Sequence, residues 1–122
     1  MGGNESKSLE IARQFLGKEV EIIFDRPFGS RHPVFGFIYE VNYGYVKGVK
    51  SPDGENLDVY FLGSNEPLEK GYGIVKAIIH RFDDDDDKLV VMPKDLEISD
   101  EEIEKAVHFQ EKYFKHEIIL CI

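Results

Sequence analysis

A series of short apolar runs, which alternate with polar residues and are separated by turn residues, restricts the fold more than any other feature. The clearest run is 18–24, where three apolar residues alternate with two glutamates, as in a strand with one face in water. Further strands are predicted at 34–41, 43–50, 57–62, 72–82, 88–92 and 116–122. Because these strands follow one another closely, we expect them to pair in sequence order as a meander.

Two segments have helical periodicity instead. Residues 6–16 place apolar side chains at helical spacing, and Gly17 is positioned to end that helix. Residues 99–102, SDEE, form a capping box in which Ser99 and Glu102 satisfy each other's backbone N–H groups, and a helix follows. Short strands with two helices and no βαβ alternation predict a mostly β fold, a small antiparallel barrel with flanking helices.

Length and composition limit the classes of function and partner that we expect for this chain. The 122 residues suit one domain over 1–122, with 1–6 as a flexible tail. With a net charge of −9 and no Lys- or Arg-rich stripe, no nucleic-acid partner is expected. Cys121 is the only cysteine, so neither an internal disulfide nor a cysteine-based zinc site is expected. No run approaches the ~20 apolar residues that span a bilayer, so we expect a cytoplasmic protein without a membrane partner.

Acidic residues cluster around the turn at Gly54, immediately before a predicted strand. Asp53 and Asp58 would point to opposite faces of a straight strand, and only a bend at Gly54 lets them converge. Two carboxylates ~4 Å apart repel by about 4 kcal/mol at an effective dielectric near 20, and a hard divalent cation would relieve that repulsion. The residues alone leave two interpretations open, a metal site that also involves Glu55, or a polar hairpin loop.

A second cluster occupies residues 25–35, where two prolines and a glycine interrupt the periodicity. Arg26 and Arg31 could clamp phosphate oxygens through their forked guanidinium groups, and Ser30 and His32 could donate further hydrogen bonds. His32 is the weaker candidate, since its charge depends on pH. The alternative is a surface loop with solvated arginines.

Several stretches resemble the soluble (family I) inorganic pyrophosphatases. Residues 39–44, YEVNYG, resemble the family's Tyr-Pro-x-Asn-Tyr-Gly, with Glu40 in place of proline. Residues 53–58, DGENLD, resemble its Asp-Gly-Asp-Pro-x-Asp, with Glu55 in place of the middle aspartate. Residues 86–90, DDKLV, resemble its Asp-x-Lys-Leu-Val.

Two shorter matches extend the resemblance. Asp25-Arg26 is similar to the family's Asp-Arg pair, whose arginine binds phosphate. Tyr113 matches the tyrosine of a Tyr-Lys pair on a late helix, although Phe114 intervenes before Lys115.

The resemblance implies a five-stranded, OB-like barrel and the Mg²⁺-dependent hydrolysis of pyrophosphate to two phosphates, with other divalent metals as alternatives. Asp53, Asp58 and Asp86 would hold the tight ion, Asp58 would bridge to a second one, and the upstream aspartate of the family would be Asp83 or Asp84. Glu55 would act as the base on a metal-activated water. Tyr43 would act with Glu55 and Asp58 in catalysis. The substrate-binding residues, of which Arg31 and His32 are taken from the loop alone, would be Arg26, Arg31, His32, Tyr39, Lys88, Tyr113 and Lys115.

Other interpretations remain. The five aspartates at 83–87 also fit a solvated turn. The family's Lys-Tyr-Glu hairpin is absent, so a catalytically weak phosphate- or nucleotide-binding barrel, or a hydrolase of another phosphate anhydride, is the alternative function. A purely structural oligomerisation domain would leave the matching residues unexplained. A homo-oligomer is compatible with the sequence, which does not set the number of subunits.

Overall fold

The computed structural model describes residues 7–50, 54–82 and 86–121. The helices are α1 (Lys7–Phe15) and α2 (Asp100–Glu111). The strands are β1 (Glu19–Arg26), β2 (Asn42–Lys50), β3 (Asn56–Phe61), β4 (Lys70–Arg81), β5 (Lys88–Met92) and β6 (His116–Leu120). The tail predicted at 1–6 lies outside the described residues.

Five strands close into a barrel, as predicted. The sheet runs β1-β2-β3-β5-β4, and β4 returns to pair with β1, while β6 adds to the outside of β4. The meander was the wrong pairing order, because β5 lies between β3 and β4 and pairs parallel with β3. The long β4 makes this arrangement workable, since successive parts of it pair with β1, β5 and β6.

Both faces of β5 and of the second half of β3 are buried, which explains the nearly continuous apolar runs there, whereas β1 buries alternate residues. In β3, Leu57, Val59 and Phe61 join a core that α1 caps, whereas Tyr60 joins a second core with residues of α2. All five residues of β5 are buried in the same alternating way. The face that α2 covers is the one on which the candidate site lies.

Local chemistry fixes the ends of both helices. The capping box is confirmed: the Ser99 side chain accepts from the backbone N–H of Glu102, and the Glu102 carboxylate accepts from the N–H of Ser99. Helix α1 ends just before Gly17, whose φ of 81° is a conformation that residues with a Cβ rarely adopt.

The prediction of a strand at 34–41 is wrong. These residues belong to a folded loop with a single bridge between Arg31 and Ile38. Backbone bonds from His32 N–H to the Phe37 carbonyl and from Tyr39 N–H to the Ser30 carbonyl hold the loop together. Phe37 and Tyr39 pack on Phe109 of α2 and line a cavity together with Phe35, instead of continuing the sheet.

Asn42 anchors this loop to the barrel. The fully buried side chain accepts from the N–H groups of Phe28 and Leu68 and donates to the Glu66 carbonyl. Two residues later, a Cβ at Gly44 would lie 1.9 Å from the Ile23 carbonyl oxygen, so no larger residue fits between β1 and β2 there. The asparagine and glycine of the YEVNYG stretch are therefore structural.

Candidate functional site

A lysine held between two carboxylates forms the centre of the site. The Lys88 ammonium donates to Asp58 Oδ2 at 2.7 Å and to Asp86 Oδ1 at 2.8 Å. The Tyr43 hydroxyl donates to the same Asp58 oxygen at 3.0 Å. Lys88 is almost fully buried, whereas both carboxylates remain partly exposed. The two acids thus face one cation-sized point and also reach solvent.

Strand pairing brings these side chains together. Val59 of β3 is in register with Leu89 of the parallel β5, so the preceding residues, Asp58 and Lys88, lie side by side on one face. Tyr43 comes from the opposite neighbour of β3 and sits diagonally from Asp58. The parallel β3–β5 pair is therefore what assembles the centre.

Asp87 fixes the short segment that carries Asp86 and Lys88. Its Oδ1 lies 2.8 Å from His80 Nδ1 and accepts from the Arg81 N–H at 3.1 Å, and its own N–H donates to Ser8 Oγ. Its Oδ2 is buried and has no hydrogen-bond partner among the described residues. Asp87 therefore holds the segment to β4 and α1 while its neighbours face the site.

A buried ion pair, which the sequence did not indicate, supports the centre from behind. Arg81 donates from Nε and Nη2 to the two oxygens of Glu111 at 3.0 and 2.6 Å. The remaining Arg81 nitrogen, Nη1, lies 3.4 Å from Asp86 Oδ2, and the guanidinium covers the Phe114 ring at 3.7 Å. Arg81 therefore links helix α2 to the segment that carries Asp86.

Hydrogen bonds continue from this pair across the site. Glu111 accepts from the Tyr60 hydroxyl, which in turn accepts from Gln110 at 2.6 Å. Tyr39 donates to Gln110 at 3.2 Å and accepts from Arg26 at 3.2 Å. A polar chain thus runs beneath the site from Arg81 to Arg26.

The tyrosines at the site stay protonated. Burial, followed by the charges of Asp58 and Asp86, raises the pKa of Tyr43 well above 10. Burial also raises the pKa of Tyr39, although the nearby Arg26 opposes that shift. Both hydroxyls are therefore hydrogen-bond donors at neutral pH.

These groups open into a cavity of about 680 Å³. Eight residues predicted for the site line it: Arg26, His32, Tyr39, Tyr43, Asp58, Asp86, Lys88 and Tyr113. The lining residues that were not predicted as site residues are Asp25, Phe35, Phe37, Arg81, Gln110 and Phe114. The only available signal for Arg81 was a charged residue at the end of an apolar strand run.

Three predicted residues are not among those that line the cavity. Arg31 is exposed and donates to the Gly36 carbonyl at 2.8 Å, which ties the loop to itself. Glu55 is exposed at the start of β3, and Lys115 is exposed beyond the end of α2. The predicted ligands Asp53, Asp83 and Asp84 lie outside the described residues.

The donor set fits a divalent cation in part. Asp58 and Asp86 offer carboxylate oxygens, which hard cations prefer, and they already share one cationic partner. Across 7–50, 54–82 and 86–121, no three His, Cys, Asp or Glu side chains converge as a metal site. An ion bound to this part of the chain would therefore rest on two protein carboxylates.

Comparison with solved structures shows the same fold in inorganic pyrophosphatases. The enzyme from Ehrlichia chaffeensis is 16% identical with a TM-score of 0.68, over 87% of this chain and 88% of that one. That from Helicobacter pylori is 17% identical with a TM-score of 0.64, over 84% of each chain. That from Neisseria gonorrhoeae is 19% identical with a TM-score of 0.61, over 80% and 74%.

No protein-family model matches the chain, and no curated protein matches it. At identities this low, the structural similarity shows a shared fold alone. Within the described residues, neither helix is long and apolar enough to cross a membrane.

Proposed function

We propose that this protein hydrolyses inorganic pyrophosphate to two phosphates with the help of Mg²⁺ or another divalent cation. The observation that carries the proposal is the convergence of Asp58, Asp86 and Lys88 at the base of an open cavity. The pyrophosphatase fold supports the proposal separately, because the fold alone does not require these side chains to meet.

The charge balance explains the need for a cation. The chain carries a net charge of −9, and the cavity itself contains three aspartates against three cationic side chains, Arg26, Arg81 and Lys88. A diphosphate is strongly anionic, and this cavity would not attract it without added positive charge. When bound, a divalent cation supplies that charge and lowers the pKa of water far below about 15.7.

The roles of the side chains follow from where they lie. Asp58 and Asp86 would hold the cation. Lys88, near Tyr43, and Arg26, near Tyr39, would neutralise phosphate oxygens. The protonated Tyr43 hydroxyl would turn its one hydrogen bond from Asp58 to an oxygen whose charge grows as the anhydride bond breaks. Tyr113, which is exposed and lines the cavity, would contact the outer phosphate.

The general base is either of two carboxylates. Glu55 stands where the family has its middle aspartate, but it is exposed and outside the cavity lining. Asp58 lies inside the cavity but is already engaged by Tyr43 and Lys88. We propose Glu55 as the base, since Asp58 is the better placed of the two to hold the cation.

The test is phosphate release from pyrophosphate with Mg²⁺, Mn²⁺ or Zn²⁺ and with EDTA. We expect metal-dependent release, a loss of about tenfold to a hundredfold or more in Asp86→Asn, as for groups that hold a metal, and normal release in Asp95→Asn. Asp95 is a matched control because it is an exposed aspartate away from the cavity. No release above background with any of these metals would refute the proposal.

A second candidate is a barrel that binds phosphate compounds with little or no catalysis. The exposure of Glu55 favours it, because a base outside the cavity would leave hydrolysis slow. Pyrophosphate binding with Mg²⁺ in calorimetry, combined with no phosphate release, would identify this case.

A further inference from the structure

Aromatic rings form one wall of the cavity, which charged residues also line. The wall consists of His32, Phe35, Phe37, Tyr113 and Phe114, all of which line the cavity. Phe37 lies 4.8 Å from the His32 ring and is stacked on Tyr113 at 6.1 Å, and His32 lies 4.9 Å from Phe35. His32, Phe35, Phe37 and Tyr113 thus make a continuous series of ring contacts, and Phe114 lies over the Arg81 guanidinium at 3.7 Å.

This wall is exposed to a degree that folding alone does not explain. Phe35 is 74% exposed and Tyr113 is 61% exposed, although each contacts another ring. Exposed apolar surface costs roughly 25 cal/mol per Å², and contiguous exposed patches beside polar groups mark interaction sites, ligand grooves among them. The aromatic wall is therefore a surface that a ligand would cover.

The wall is continuous with the charged residues of the cavity. Tyr43, which contacts Asp58, lies 5.3 Å from the Tyr39 ring, and Tyr39 lies 5.5 Å from Phe37. A ligand with phosphates at Lys88 and Arg26 would therefore place any attached group along these rings. The cavity of about 680 Å³ also falls in the range of about 300–1,000 Å³ that encloses organic ligands, and a bare diphosphate is much smaller.

Hydrogen bonds fix the orientation of the His32 ring within the aromatic wall. Its Nδ1 accepts the N–H groups of Val34 and Phe35, both at 3.1 Å, so the ring orientation is fixed. Desolvation, and secondarily the charge of Arg26, lowers the His32 pKa, which keeps the ring neutral at physiological pH. A neutral, fixed ring packs against an aromatic ligand without repelling it or needing a counter-charge.

We propose that the preferred ligand of this cavity is a nucleoside diphosphate. Its phosphates contact Lys88 and Arg26, and its nucleobase packs against Phe35 and Tyr113. This inference rests on the proposed function for its chemistry and names a different substrate for the same site. In the reaction, the oxygen of one water bonds to the terminal phosphorus, and the bridging P–O bond breaks. The bridging oxygen leaves with the nucleoside monophosphate, and the water protons pass to the phosphate products and solvent.

The experiment compares ADP with pyrophosphate, both with Mg²⁺, in phosphate release and in calorimetry with the non-hydrolysable α,β-methylene analogue of ADP. We expect a higher kcat/KM for ADP. Phe35→Ala should weaken ADP and analogue binding by about 5- to 150-fold, as loss of one stacking partner does, and leave pyrophosphate binding unchanged. Phe35→Trp keeps a ring and should restore binding, and Val34→Ala is the matched control, since Val34 is 78% exposed and outside the lining.

The outcomes separate this inference from the proposed function. Hydrolysis of pyrophosphate with no binding of the ADP analogue would overturn the inference and leave the proposed function intact. Analogue binding that depends on Phe35, without release from either substrate, would support the ligand class and refute the hydrolysis. A dimer that Phe35→Ala dissociates, together with no analogue binding, would overturn the inference by making the wall an interface between copies.

Discussion

Removing the Arg81 guanidinium should destabilise the protein far more than loss of an ordinary salt bridge. Arg81 is 5% exposed and Glu111 is 0% exposed, and two hydrogen bonds of 3.0 and 2.6 Å join them. In Arg81→Met, the alkyl stem is kept, and among the described residues the Glu111 carboxylate retains the hydrogen bond from Tyr60 alone. A buried charge is then left without its counter-charge.

The expected cost follows from that burial. Leaving one partner of a buried ion pair uncompensated costs about 3–5 kcal/mol, against about 0–1 kcal/mol for an exposed pair. For a chain of this size, that loss corresponds to a fall in Tm of roughly 10–20 °C. The exposed pair of Lys47 and Glu21, with its atoms 3.7 Å apart, supplies the matched control Lys47→Met.

Urea denaturation followed by circular dichroism measures both changes in the free energy of unfolding. The double variant Arg81→Met with Glu111→Leu should recover most of the loss, because apolar residues often replace a buried pair at little cost. If Arg81→Met lies within about 1 kcal/mol of Lys47→Met, water reaches Glu111 and the pair is not buried in solution.

Four further predictions concern the site and the pH dependence of stability. Mg²⁺ should raise Tm, by an amount equivalent to about 2.7 kcal/mol at a hundred times its Kd, and Asp58→Asn should abolish that shift; a Tm indifferent to millimolar Mg²⁺ and to EDTA would contradict the metal site. Glu55→Gln should lower kcat by about a hundredfold with binding intact, and a normal kcat would remove Glu55 from the mechanism. Arg26→Ala should raise the KM about tenfold or more, whereas Arg31→Ala should leave it unchanged because that side chain is bonded within its own loop; equal effects would contradict the placement of the two arginines. Burial lowers the His116 pKa, but hydrogen bonds to a backbone carbonyl and a carboxylate outweigh it and raise the pKa above 6.5. Protonated His116 therefore stabilises the fold below that value and the contribution disappears as pH rises through the raised pKa, so His116→Gln should cost stability at pH 5.5 and little at pH 9 in urea titrations.

The elements that the sequence predicted well are those with a local chemical cause. The alternation at 18–24, the capping box at Ser99 and Glu102, and the stop at Gly17 each depend on residues a few positions apart. Five barrel strands could be assigned for the same reason. The pairing order could not, because nothing in the sequence of β3 indicates that its partner is the parallel β5 rather than the next strand.

The loop at 34–41 shows why apolar runs mislead near a cavity. Its valine and phenylalanine residues have strand composition, but Phe35 and Phe37 line the cavity and pack on other rings instead of a sheet. Arg81 and Glu111 were missed for a different reason. They are 30 positions apart, and a contact between two charged residues at that distance leaves no pattern along the chain.

The closure of the barrel by pairing of β1 with β4 affects how the chain folds. Strand β1 pairs with β4 from Glu19 opposite Ile74 to Ile23 opposite Lys70, so its second edge stays open until β4 has been synthesised. Contacts between such distant segments carry a large loop-closure cost, and domains rich in them fold in milliseconds to seconds rather than microseconds. While the chain is still being made, the exposed edges of β1 and β3 are free to pair with other chains. Yield in expression should therefore depend more on temperature and chain concentration during synthesis than on the stability of the finished barrel.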